Sequence, residues 1–149
     1  MRALLAALLI VPAAASAEES LCARLGGPGT VAAIMESFGD RMRTDDADKL
    51  GRFWLHRGTD GVERERRLAV AFVQNAAGCS IAYNGREMDR THRGMGISAR
   101  DWDRAMEYFR LAVWKHVDDP GLRVEIIALV SKTRGQIVDC EDRVYGCPR

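Results

Sequence analysis

Met88 and His92 are the residues whose types and spacing point first to chemistry. They stand four apart in YNGREMDRTHRGMGI, the stretch from Tyr83 to Ile97, so on a helix they share one face. Neutral imidazole is the commonest protein ligand for transition metals, and an imidazole and a thioether side by side could border a cofactor. Gly94 and Gly96 end whatever turn carries the histidine, and Arg86, Arg90 and Arg93 are the nearest cations. On spacing alone, a histidine among arginines is more often an ordinary surface or hydrogen-bonded residue. The surrounding elements must decide.

Cysteines are the second chemical resource. Cys22, Cys79, Cys140 and Cys147 contain no CxxC and no CxxCH, which argues against a dithiol redox motif, a zinc ribbon and thioether-attached haem. Four cysteines allow three pairings. Cys140 with Cys147 would staple a short tail, and Cys22 with Cys79 would tie the first helix to the middle of the chain. Disulfides are plausible because the chain begins like an exported protein. Met1-Arg2 is a positive start, Ala3 to Val11 an apolar run, and Ala15-Ser16-Ala17 a small-x-small cleavage site. Residues 1–17 are therefore expected to be a cleaved signal peptide, 18–139 a single domain and 140–149 a short cysteine-containing tail, in the periplasm or secreted. The apolar run is too short to span a bilayer as a helix, so no membrane association is expected after cleavage. Losing Arg2 takes one from 22 basic residues and leaves them equal to the 21 acidic ones. The charges are interleaved, as in GVERERR, so nucleic acid is not an expected partner.

The elements that position these residues read as all helical. SLCARL makes one or two turns closed by Gly26-Gly27. Thr30 is the expected N-cap of a second helix with Val31, Ile34, Met35, Phe38 and Met42 at helical spacing, interrupted by Gly39. Leu50, Phe53 and Trp54 form an apolar patch inside a polar connection. Helix resumes around Val62, with Val70, Phe72 and Val73 apolar, and closes at Gly78. Ser98 is placed to cap the next helix with Asp101 in the capping-box position. Trp102, Met106, Phe109 and Val113 make its stripe, and the segment from Asp118 to Gly121 breaks it. One last helix is expected from Leu122 to Val138, with Val124, Ile127 and Ala128 on one face and Ser131 turning back to a carbonyl. No segment reads as a strand. Two long helices before the histidine stretch and two after it make room for something flat and apolar.

That order of motifs resembles the truncated haemoglobins, group 1. The resemblance runs from about Ser20 to Asp139 and rests on LCARLGG, SFGDRM, the FW pair at Phe53-Trp54, Tyr83-x-Gly85 and above all Met88-x-x-x-His92-x-Gly94-x-Gly96-Ile97. It implies an all-α, globin-like two-over-two helical sandwich around haem b, with His92 the proximal iron ligand. It also implies that Met88, Ile97, Trp54 and Phe72 pack on the porphyrin and that Arg86, Arg90 or Arg93 meets a propionate. The distal side departs from the family. Gly39 stands where a tyrosine is usual, and the usual polar partner falls at Leu68 or Ala69, with Glu65 one turn ahead. None of these supplies a hydrogen-bond donor when Glu65 is ionised.

Two functional classes follow. The first is an exported haem b protein binding a diatomic gas (oxygen, nitric oxide or carbon monoxide) at iron held by His92. The second is a periplasmic haem redox protein or enzyme, peroxidase-like, handling nitrite or nitric oxide, or carrying electrons with a redox partner protein. A globin-like domain without haem is a third, against which the retained Met88, His92 and Gly94-x-Gly96 weigh.

Overall fold

The computed structural model describes residues 19–46, 49–141 and 147. The expected signal segment and most of the tail after Glu141 lie outside the described residues. Seven α-helices and one 3-10 turn follow in order: α1 (Leu21–Arg24), α2 (Pro28–Arg43), the 3-10 turn (Leu50–Phe53), α3 (Thr59–Ala76), α4 (Met88–His92), α5 (Ala99–His116), α6 (Pro120–Ser131) and α7 (Arg134–Ile137). Among the described residues the β content is one isolated bridge, Ser98 to Cys140.

α2 and α5 are the central pair; α3 packs on α2, and α6 on α5. Their contact is written in the stripes. Trp102, Met106, Phe109 and Val113 are all buried, as the spacing predicts, and meet Val31, Ile34 and Met35 of α2. Phe38 sets its ring edge-on to Phe109 with centroids 5.5 Å apart, a favoured arrangement for aromatic quadrupoles. Both halves of the α5 capping box are present: the Asp101 amide donates to Ser98 Oγ, and the Ser98 amide donates to Asp101 Oδ2.

Three expectations change. α2 starts earlier than Thr30, with Gly27 as N-cap and Pro28 in the first turn, where proline's fixed φ and missing amide are harmless. α3 starts at Thr59 rather than near Val62. The last helix is two helices, because Ser131 Oγ donates to Ile127 O and Thr133 Oγ1 to Val130 O at the break between α6 and α7. Its buried residue is Ile126, while Val124 and Ala128 face outward.

The cysteines pair as Cys22–Cys79 and Cys140–Cys147. The first joins α1 to the loop after α3, and the second clips residue 147 to the segment after α7.

Candidate functional site

α4 is a five-residue helix, and its histidine is oriented by its own backbone. His92 is half-buried, and its Nδ1 is 2.9 Å from Met88 O. A carbonyl only accepts, so Nδ1 carries the proton and Nε2 is the basic nitrogen. Among the described residues no hydrogen bond engages that Nε2. This arrangement makes an imidazole a well-aimed metal ligand: one nitrogen fixed by a carbonyl, the other presented. Among the described residues no three His, Cys, Asp or Glu side chains gather in ligating range. A metal held by His92 therefore brings its remaining ligands with it.

α4 packs on α7, and α3 on α2, with no extensive packing of α3 on α4. Leu68, Val70 and Phe72 on α3 are half-buried, with Val70 and Phe72 packed against the main core, and Met88 on α4 and Met95 just beyond it are half-buried as well. One presented imidazole, with apolar side chains close by in the chain and no cluster of further ligands among the described residues, is a donor set that would fit a haem.

The expected site residues divide into those on these elements and those away from them. Met88 lies one turn from His92 on α4. Ile97 follows it in the chain and is buried at 7% exposure, outside the main core cluster. Phe72 is half-buried with its ring edge-on to Tyr83 at 5.3 Å. Trp54 stands apart on the connection before α3, half-buried and edge-on to Phe53 at 6.3 Å. Arg90 is exposed and lines a groove of about 440 Å³ with Gly85, Arg86 and Glu87. Arg93 is paired with Asp89 at 2.8 Å. Ala69 is exposed, and Glu65 is paired with Arg57. His56 is exposed, whereas Nε2 of His116 lies 2.7 Å from Ser37 Oγ.

Two arrangements escaped the sequence reading. Tyr83 folds back over Gly85: its hydroxyl donates to Arg86 O at 2.7 Å, and a Cβ at Gly85 would sit 2.2 Å from its ring tip. Burial, assisted by the charge of Glu87, pushes the Tyr83 hydroxyl above its ordinary range. The motif Tyr83-x-Gly85 was the available signal, since only glycine leaves room for that ring. The second is Arg43, whose Nη1 is 2.9 Å from where a Cβ of Gly39 would be, while its other nitrogen pairs with Asp40. Glycine and arginine four apart on a helix was a local signal for it.

An all-helical sandwich with one short histidine-bearing helix along its open side defines a globin-like, two-over-two fold. The chain belongs to the bacterial-like globin family, whose profile matches residues 20–139. Solved structures agree on the architecture. The Fe(III) truncated haemoglobin of Tetrahymena pyriformis superposes with TM-score 0.70 at 20% identity, over 80% of this chain and 98% of that one. A Synechococcus 2/2 haemoglobin, in a cyanomet state with covalently attached haem, gives 0.70 at 20% identity over 81% and 99%. Chlamydomonas reinhardtii THB1 gives 0.65 at 25% identity over 82% and 98%. No curated protein matches the chain.

Proposed function

We propose that this globin is an exported haem b protein of the group 1 truncated type that binds a diatomic gas at iron ligated by His92. The observation that carries the reading is the His92 imidazole, fixed through Nδ1 to Met88 O with no hydrogen bond to Nε2 among the described residues, on a helix without extensive packing on α3. When bound, haem would supply the iron at which a gas can bind. The Met88 carbonyl keeps the proton on Nδ1 and leaves Nε2 as the nitrogen that would hold the iron. Met88, Phe72 and Ile97 would supply apolar contact to the porphyrin, and Trp54, on the connection before α3, would add to it. Arg90, with Arg86, offers guanidinium donors to a propionate at the groove they share. Among the described residues no helix is long and apolar enough to cross a membrane, and the signal-like start supports release into the periplasm or medium.

Absorption spectra of ferric, ferrous and carbon-monoxide-treated protein test the reading. Wild type should show a Soret band that responds to carbon monoxide. His92→Ala should lose or rearrange axial ligation, while His56→Ala and His116→Ala leave the spectrum nearly unchanged. An unaltered spectrum and haem affinity in His92→Ala would refute the assignment.

A further inference from the structure

A five-residue helix closes one turn and has little stability of its own, so the position of His92 must be set from outside α4. The chain leaves His92 through Gly94 and Gly96, both left-handed with φ of 76° and 70°. The Met95 amide donates to His92 O at 3.0 Å. From there the backbone runs beside the segment that follows α7. The Gly96 amide donates to Asp139 Oδ2 at 2.9 Å. The Asp139 amide returns a bond to Ile97 O at 2.8 Å, and the Ala99 amide donates to Cys140 O at 2.9 Å. Cys147, covalently joined to Cys140, lies against the same residues: its amide is 3.5 Å from Gly96 O and its Sγ 3.5 Å from Ile97 O. Ile97 and Ser98 are buried under this contact. A short clasp of backbone hydrogen bonds around one isolated bridge, closed by a disulfide, thus grips the chain from four residues beyond the histidine.

We propose that Asp139, held in place by the Cys140–Cys147 disulfide, is a positioning residue for His92, fixing the height and tilt of the imidazole and through it the affinity of the iron for gas. The inference rests on the haem reading above. The Asp139 carboxylate accepts from the one amide, Gly96, that lies between the left-handed turn and the clasp. Removing it frees the turn to relax without disturbing the core formed by α2 and α5, because Ile97 lies outside that core. The disulfide limits how far the clasp can open.

The test compares Asp139→Ala, Asp139→Asn, the pair Cys140→Ser with Cys147→Ser, and as a control Cys22→Ser with Cys79→Ser. Two readouts are needed: amide hydrogen exchange at Gly96 and Ala99 in the haem-free chain, and the iron–histidine stretching band of the ferrous, haem-loaded chain. Loss of one hydrogen bond should raise Gly96 exchange roughly two- to tenfold in Asp139→Ala, and the iron–histidine band should move. Asp139→Asn keeps an oxygen acceptor and should restore both. The Cys140/Cys147 pair should move the band in the same direction, and it carries the test if Asp139→Ala fails to fold. The control pair should lower stability and leave the band in place. A wild-type band that stays put in Asp139→Ala and in the Cys140/Cys147 pair overturns the positioning role alone. A wild-type protein with no iron–histidine band overturns the haem reading itself, and the inference with it.

Discussion

Gly85→Ala should loosen the loop that joins α3 to α4, and the size of the effect follows from what the new methyl group meets. An alanine Cβ would lie 2.2 Å from both Cζ and Oη of Tyr83 and 2.5 Å from Cε2. Carbon atoms sit comfortably at about 3.5–4.0 Å, so the ring must move by more than an ångström. Gly85 is not left-handed, and the cost is therefore contact rather than backbone strain. A displaced ring gives up the hydrogen bond to Arg86 O, at about 0.5–1.5 kcal/mol, and its edge contact with Phe72, at about the same again. The expected loss is about 1–3 kcal/mol, within the usual range for overpacking. Urea unfolding followed by circular dichroism measures it, with a double-mutant cycle to isolate the cause. In a Tyr83→Ala background the same Gly85→Ala change should be nearly neutral. Equal costs in the two backgrounds, within about 0.5 kcal/mol, would refute the account. Haem loss from Gly85→Ala should be faster as well, because the loop leads directly into the helix carrying His92.

Two further outcomes concern the distal side and the connection before α3. Gly39→Tyr should bring a phenolic donor to the pocket and slow oxygen release by roughly tenfold, since about 1.4 kcal/mol corresponds to that factor. At the first atom of the new side chain only the flexible tip of Arg43 is met, and carbon monoxide release should change less; stopped-flow rates that shift equally and slightly for both gases would show that Gly39 does not face the iron. Asp45 is nearly enclosed and accepts two bonds from Arg104, at 2.6 and 2.8 Å, and that guanidinium holds its carboxyl well below the usual range. A depressed folded value contributes stability above the unfolded pKa of about 3.9 and loses it as pH falls toward the folded value. Asp45→Asn should therefore cost about 3 kcal/mol near neutrality, with the gap to wild type closing below about pH 4; a gap that persists undiminished to pH 2 in urea titrations would contradict this.

Signals confined to one turn were legible in the sequence, and those spread over the fold were not. The α5 stripe and the Ser98–Asp101 capping box depend on residues three or four apart, and the structure has both. Thr30 looked like a cap because the sequence offers a hydroxyl before an apolar run. Pro28 and Gly27 start the helix sooner, through backbone geometry that propensity alone ranks poorly. The face of α6 was misread for a clear reason: Leu122, Val124, Ile126, Ile127, Leu129 and Val130 surround that helix with apolar side chains, so periodicity cannot choose among them. Only contact with α5 and α1 selects Ile126 as the buried position and leaves Val124 in solvent. The Met88–His92 spacing was legible as one face of one turn. Asp139 on Gly96, 43 residues away in the chain, left no local trace.

The distribution of cross-links shows why the open side of this sandwich can persist. With no extensive packing of α3 on α4, the fold forgoes much of the apolar burial that could join them, at about 25 cal/mol for each Å² left in water. The chain compensates at the ends of those two elements instead of between them. Cys79 follows α3 directly and is tied to Cys22 across 57 residues, a loop whose closure is worth about 4 kcal/mol in the chain-entropy estimate. The Cys140–Cys147 clip closes the clasp on the residues after α4. Gly78 and Gly96 supply the left-handed turns beside these two attachments, which lets each helix stop abruptly before its pinned segment. Each of the two elements that would meet the proposed haem is thus anchored beyond its C-terminal end, so the helices that carry Phe72 and Met88 are held in place without extensive packing on each other.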